Sequence, residues 1–177
     1  FQFFCLLIYF NILDSILSNE SKLNSIYSQC KLNQLLCFGL PDDCVHNENC
    51  KILSTAVKAG DNGTVNFELL APLDSPTKNY FIALSLSNKT SMNGNVVYCY
   101  LNDNGDGKIG IGYISGHKVI HLNSVDGISL NDVTFQNSLL SCRWSRQPKS
   151  VVDGYEYDLI NKAYYIELAK GKMRGGN

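Results

Sequence analysis

This chain of 177 residues contains no apolar run long enough to span a bilayer comfortably. Charge is scarce: Asp, Glu, Lys and Arg make up 18% of the residues, and the net charge is -1. Basic residues are scattered apart from Arg143, Arg146 and Lys149, so there is no electrostatic footprint for nucleic acid. A Gly-x-Ser-x-Gly nucleophile elbow is absent. So are flavin, nicotinamide and copper signatures, so catalysis would need a partner domain. Histidine is rare, at positions 46, 117 and 121. His117 and His121 are four residues apart, which brings side chains together on a helix but not on a strand. We read all three histidines as structural or surface residues.

What is present points outward from the cell. The length suits one domain. Asn, Ser and Tyr are abundant, as in β-rich extracellular domains. Phe1–Leu17 is strongly apolar, broken by Asn11 and Asp14, and resembles the core of a signal peptide. Residues 1–18 are therefore expected to be a signal segment whose start is missing, with Ser15 and Ser18 as small residues suited to cleavage. The competing reading is a buried N-terminal helix. Residues 19–177 form the expected domain.

Cys5 falls in the leader, and Cys30, Cys37, Cys44, Cys50, Cys99 and Cys142 remain. Four of these crowd into 30–50, a segment with little hydrophobic pattern that needs staples to be ordered. A zinc site built from these thiols and His46 is the rival. The six, six and five intervening residues do not form the tight knuckles zinc prefers. We expect disulfides, with Cys99 paired to Cys142 and the other four paired among themselves. Sequons at Asn19, Asn62 and Asn88 agree with export, and Asn62 and Asn88 are the expected glycan carriers.

Alternating apolar residues between Gly-, Asn- and Asp-rich turns predict strands at Ile52–Lys58, Thr64–Leu70, Tyr80–Leu86, Asn95–Leu101, Lys108–Ser115, Lys118–Leu122, Val133–Asn137, Leu139–Arg146 and Ala163–Ala169. One short helix is expected around Asn24–Leu36. The spacing predicts an all-β protein, an antiparallel β-sandwich of immunoglobulin-like type behind a disulfide-rich lead-in. Asn102–Gly107 imitates half of a calcium loop. It has Asn where an EF-hand begins with Asp, and Tyr113 where the closing Glu belongs, so it reads as a hairpin turn.

Four motifs carry a family resemblance. Tyr80-Phe-Ile-Ala-Leu-Ser-Leu-Ser87, then Met92-Asn-Gly-Asn95, then Val96-Val-Tyr-Cys99 resembles the centre of a DOMON domain. Cys37-Phe-Gly-Leu-Pro41 with Cys44 resembles the ferric-chelate reductase-like branch, as does Leu140-Ser-Cys-Arg-Trp-Ser-Arg146. Ala163–Ala169 resembles its penultimate core strand. The resemblance covers most of 30–177. It implies a b-type haem at one end of the sandwich, held by a methionine and a histidine, exchanging electrons with a membrane cytochrome.

Met92 falls on the family's methionine position and would be the axial ligand of the haem iron. Tyr80, Phe81, Tyr98 and Tyr100 would wall the pocket, and Arg143 or Arg146 would pair with a propionate. In the family the histidine follows the strand matched by Ala163–Ala169. Residues 170–177 contain none, and Asn95 replaces the usual Asp. Either the chain is a truncated piece that ends just before the ligand, attached to a membrane only through downstream sequence, or this member lacks the histidine. The chain is expected to be secreted or to lie on the extracellular face of a membrane. The alternative is a module without redox chemistry that binds a carbohydrate or a membrane-protein partner. Trp144, Tyr155, Tyr157 and Tyr164 are available to stack on a sugar.

Overall fold

A computed structural model of the protein describes residues 22–73, 79–88, 94–115 and 118–173. Helix α1 covers residues 22–31. It is followed by β1 (Leu36–Leu40), α2 (Cys44–Asn47), β2 (Ile52–Ala59), β3 (Thr64–Pro72), β4 (Tyr80–Ser87), β5 (Asn95–Leu101) and β6 (Gly107–Ser115). Then come β7 (Lys118–Leu122), β8 (Ile128–Gln136), β9 (Leu139–Arg146), β10 (Lys149–Val152), β11 (Tyr155–Asp158) and β12 (Tyr165–Lys172). The first sheet has strand order β1-β2-β3-β9-β8, the second β12-β4-β5-β6-β7, and β10-β11 form a separate hairpin. All pairings are antiparallel.

Strand alternation decides which side chains meet between the sheets. On β3, Phe67, Leu69 and Ala71 enter the core, and on β9 Leu140, Cys142 and Trp144 do the same. The second sheet contributes Ile82, Leu84, Leu86, Val97 and Cys99. Trp144 stacks on Phe67 with ring centroids 5.2 Å apart. The Cys99–Cys142 bridge crosses this core and joins β5 to β9.

A smaller core lies on the opposite side of the first sheet. Ile26, Tyr27 and Cys30 of α1 pack on Leu53, Leu70 and Leu139. The Cys30–Cys37 and Cys44–Cys50 bridges fasten this lead-in. The Tyr27 hydroxyl accepts the Cys50 backbone N–H at 3.0 Å. Lys22 pairs with Glu68 at 2.9 Å, and Lys31 pairs with Glu48.

Two differences from the sequence expectations have local causes. The helix stops well before Leu36: Asn33 takes a left-handed φ of 55°, and Leu36–Leu40 instead pairs with β2, from Leu36↔Ala56 to Leu40↔Ile52. The β10–β11 hairpin falls in a stretch for which no strand is predicted. It turns at Asp153 (φ 51°) and Gly154 (φ 77°), the dipeptide that suits a two-residue hairpin with both φ positive. The Asn102–Gly107 segment is a turn, in which the Asn102 Oδ1 accepts the N–H groups of Asn104 (3.0 Å) and Asp106 (2.8 Å). No described helix is long and apolar enough to cross a membrane.

Candidate functional site at one end of the sandwich

The two sheets part at the end where β2 finishes and β5 begins. The opening is an apolar cleft of about 410 Å³, within the usual size of a small-molecule site. Phe38, Val65 and Phe67 of the first sheet face Leu86 and Ile166 of the second, and Tyr164 closes one side. Lys58 and Lys162 are the charged side chains in its described lining, and no carboxylate is among them. A larger depression of about 810 Å³ lies under the β10–β11 hairpin, but Asp126, Asp153, Glu156 and Asp158 line it, which disfavours an apolar ligand.

Behind the cleft lies a buried cation. Arg146 continues the inward parity of Cys142 and Trp144 and is only 2% exposed. Its Nη1 donates to the Asn95 Oδ1 and its Nε to the Ser150 Oγ, each at 2.9 Å. Its guanidinium lies 4.3 Å from the centre of the Tyr157 ring. The Nη2 has no hydrogen-bond partner, and no carboxylate pairs with the group among the described residues. Burial lowers its pKa to about 10, since desolvation disfavours the charged form. Asn95 is held in turn: its Nδ2 donates to the Gly112 carbonyl (3.0 Å), and its N–H donates to the Tyr157 hydroxyl (2.8 Å). Tyr157 stacks on Tyr164, centroids 5.5 Å apart. Burial is also the main reason that the Tyr157 phenol is pushed up.

The segment leading to Tyr164 is tied by Asp158. Its carboxylate accepts from the N–H groups of Ile160 (3.1 Å) and Asn161 (3.0 Å) and from the Asn161 side chain. Those bonds, the Asn161 side chain first, hold its pKa near 2. The Asp158 N–H donates to the Tyr164 hydroxyl at 2.7 Å.

The sequence candidates are scattered relative to this cleft. Met92 and His117 lie outside the described residues, as do the 1–18 segment and Asn19. Tyr98 is on the outer face of the second sheet, its Oη 2.7 Å from the His121 Nδ1, with Tyr100 stacked beside it. Arg143 is on the outer face of the first sheet, paired with Asp132 at 2.7 Å. Tyr98 and Arg143 thus lie on opposite outsides of the sandwich, because each is offset by one residue from inward-facing Cys99 and Cys142. Neither lines the cleft, and no single flat ligand touches both. Phe81 also faces outward, beside Tyr98 and Ala83. Tyr80 sits at the far end, paired with Lys172. Asn62 and Asn88 are both exposed.

Of the sugar-stacking candidates, Trp144 and Tyr157 are core residues, which leaves Tyr155 and Tyr164. His46 stands beside Cys44 in α2, in the lead-in. Arg146 and Asn95 are the residues whose importance sequence reading underrated; shared parity with Cys142 and Trp144 is the signal that marks Arg146 as internal.

The direction of β12 bears on the second ligand. Its first residue pairs with Ser87 and its last with Tyr80. Met173, next in the chain, donates its N–H to the Asn79 carbonyl at 2.7 Å. An eight-residue strand runs roughly 24 Å. Met173 therefore lies at the opposite end of the sheet from Asn88 and Gly94.

Fold and bridges together define a disulfide-stapled antiparallel β-sandwich. In sequence it is similar to a ferric-chelate reductase-like protein. Over 149 residues, 82% of the chain, it is 25% identical to a putative ferric-chelate reductase 1 homolog of Drosophila melanogaster. The chain spans 22% of that protein's length. No family model matches. Among solved structures, the cytochrome domain of Myriococcum thermophilum cellobiose dehydrogenase superposes with a TM-score of 0.48 and 7% identity, covering 79% of this chain and 83% of that one.

Proposed function

We propose that residues 19–177 form the extracellular DOMON domain of a ferric-chelate reductase-like protein, and that its cleft binds b-type haem for electron transfer with a membrane cytochrome. One observation carries this reading: the cleft is apolar within, and among the described residues Lys58 and Lys162 are its charged lining, a match for a flat apolar ligand with carboxylates at its edge. Phe67, Leu86, Ile166 and Tyr164 would hold the body of the macrocycle and exclude water. The lysines would face its carboxylates. Met92, in the segment between Asn88 and Gly94, would supply the thioether. When bound, haem supplies a one-electron iron couple, and a thioether ligand favours the ferrous form. The relevant compartment is oxidising, in keeping with the three bridges.

A second reading has its own support. Neither described histidine, His46 nor His121, lines the cleft, and no three His, Cys, Asp or Glu side chains converge as metal ligands among the described residues. On that reading the domain binds a carbohydrate or a membrane-protein partner without redox chemistry. An absorption spectrum of the purified secreted domain, reconstituted with haemin, separates the two. A Soret band whose reduced bands change in Met92→Leu supports haem ligation by Met92. A Soret band unaltered by that substitution removes Met92 from the ligand set, and the lack of any band leaves the recognition module.

A further inference from the structure

We propose that Arg146 makes the cleft selective for anions, its unbalanced charge being completed by a negatively charged planar ligand. Arg146 acts in this way only if the cleft is a ligand site, as proposed above.

Buried ions in proteins are normally paired with an opposite charge. Among the described residues Arg146 is not: its contacts there are an amide oxygen, a hydroxyl and an aromatic face, all neutral. A guanidinium does not shed its proton at neutral pH, so the charge persists inside the protein. The nearby carboxylate of Asp158 is engaged by its own turn and by Lys149, 3.5 Å away.

The charge is coupled to the cleft through two rings. The guanidinium lies on Tyr157, Tyr157 stacks on Tyr164, and Tyr164 lines the cleft. Tyr157 is buried and Tyr164 is half-buried, so the field of the cation is less screened across these rings than through solvent. Lys58 and Lys162 are exposed and are screened by salt. Arg146 is not. The structural duties of Arg146, holding Asn95 and Ser150, need only hydrogen-bond donors and not a full charge. A retained charge therefore implies a task for the charge.

The test compares two fluorescent probes of similar shape, anionic anilinonaphthalene sulfonate and neutral N-phenylnaphthylamine, on the whole chain at high salt. The wild type is expected to prefer the anion by on the order of tenfold, from Coulomb's law at an effective dielectric of about 20 over roughly 10 Å. Arg146→Met should remove that preference, while Arg146→Lys keeps most of it. Lys58→Met with Lys162→Met should weaken anion binding only at low salt. Equal binding of both probes by the wild type overturns the proposal but leaves the cleft as a ligand site, and needs no variant to fold. Equal losses in Arg146→Met and Arg146→Lys would mean that the residue acts by geometry alone, which also overturns it. Binding of neither probe rejects the cleft itself, and the proposal with it.

Discussion

The lead-in and the cleft end of this sandwich are held by opposite means. The lead-in is apolar and covalent: α1 packs on Leu53, Leu70 and Leu139, and two bridges with sequence separations of 7 and 6 close it. The cleft end is polar and non-covalent: Arg146, Asn95, Ser150 and Tyr157 hold one another by hydrogen bonds and a cation–ring contact. The lead-in invests in rigidity. The cleft end retains a buried charge that a structure seeking only stability would replace with apolar packing. On the function proposed above, the cleft would carry the ligand and the lead-in would carry the support.

The sharpest way to break this contrast is to remove what both regions share. Replacing Cys99 and Cys142 with Ala opens a loop of sequence separation 43 and should cost about 4 kcal/mol, read as a fall in thermal or denaturant midpoint. Both the lead-in and the cleft should loosen together.

Asn95→Ala should cost about 2–3 kcal/mol, because it strips a charge-assisted bond from a buried cation. Denaturation should show the loss, and probe binding to the cleft should weaken as well. Replacing Cys44 and Cys50 with Ser should cost about 2 kcal/mol, since the closed loop is short. Probe affinity at the cleft should stay as it was. If it falls as far as in Asn95→Ala, the division between support and function fails.

The smallest effect concerns acid. Asp158 has a folded pKa of about 2, below the usual carboxylate range. Its contribution is therefore present above about pH 4 and is lost as the pH falls through about 2. Asp158→Asn should flatten the acid limb of the stability profile in that window, with Tyr164 fluorescence reporting the local change. An unaltered limb would mean that the turn holds without its carboxylate.

Much of the fold is legible in the sequence, and the reason is parity. Asn95–Leu101, Lys118–Leu122 and Leu139–Arg146 fall where alternation and turn residues place them. The pairing of Cys99 with Cys142 also agrees with expectation. Leu36–Leu40 was illegible because five residues holding Gly39 and a cysteine, followed by Pro41, look like an irregular loop; the strand exists through its neighbour β2. The β10–β11 hairpin announces itself only through Asp153-Gly154, since four-residue strands are too short to show a pattern.

The site was less legible still. A continuous apolar run such as Tyr80–Ser87 does not reveal which side faces inward. Aromatics chosen as pocket walls on such runs, Phe81 and Tyr98, prove to face away from the core. Arg143 and Arg146 differ by three positions and so take opposite faces of one strand. The linkage of Arg146 to Tyr157 and Tyr164 depends on side chains from separate elements, and no local pattern encodes it.

The sulfur link between β5 and β9 has a mechanical corollary. It acts as a pin near the middle of both strands, and with the buried Arg146–Asn95 bond between the same two strands it gives the layers two fixed points against sliding.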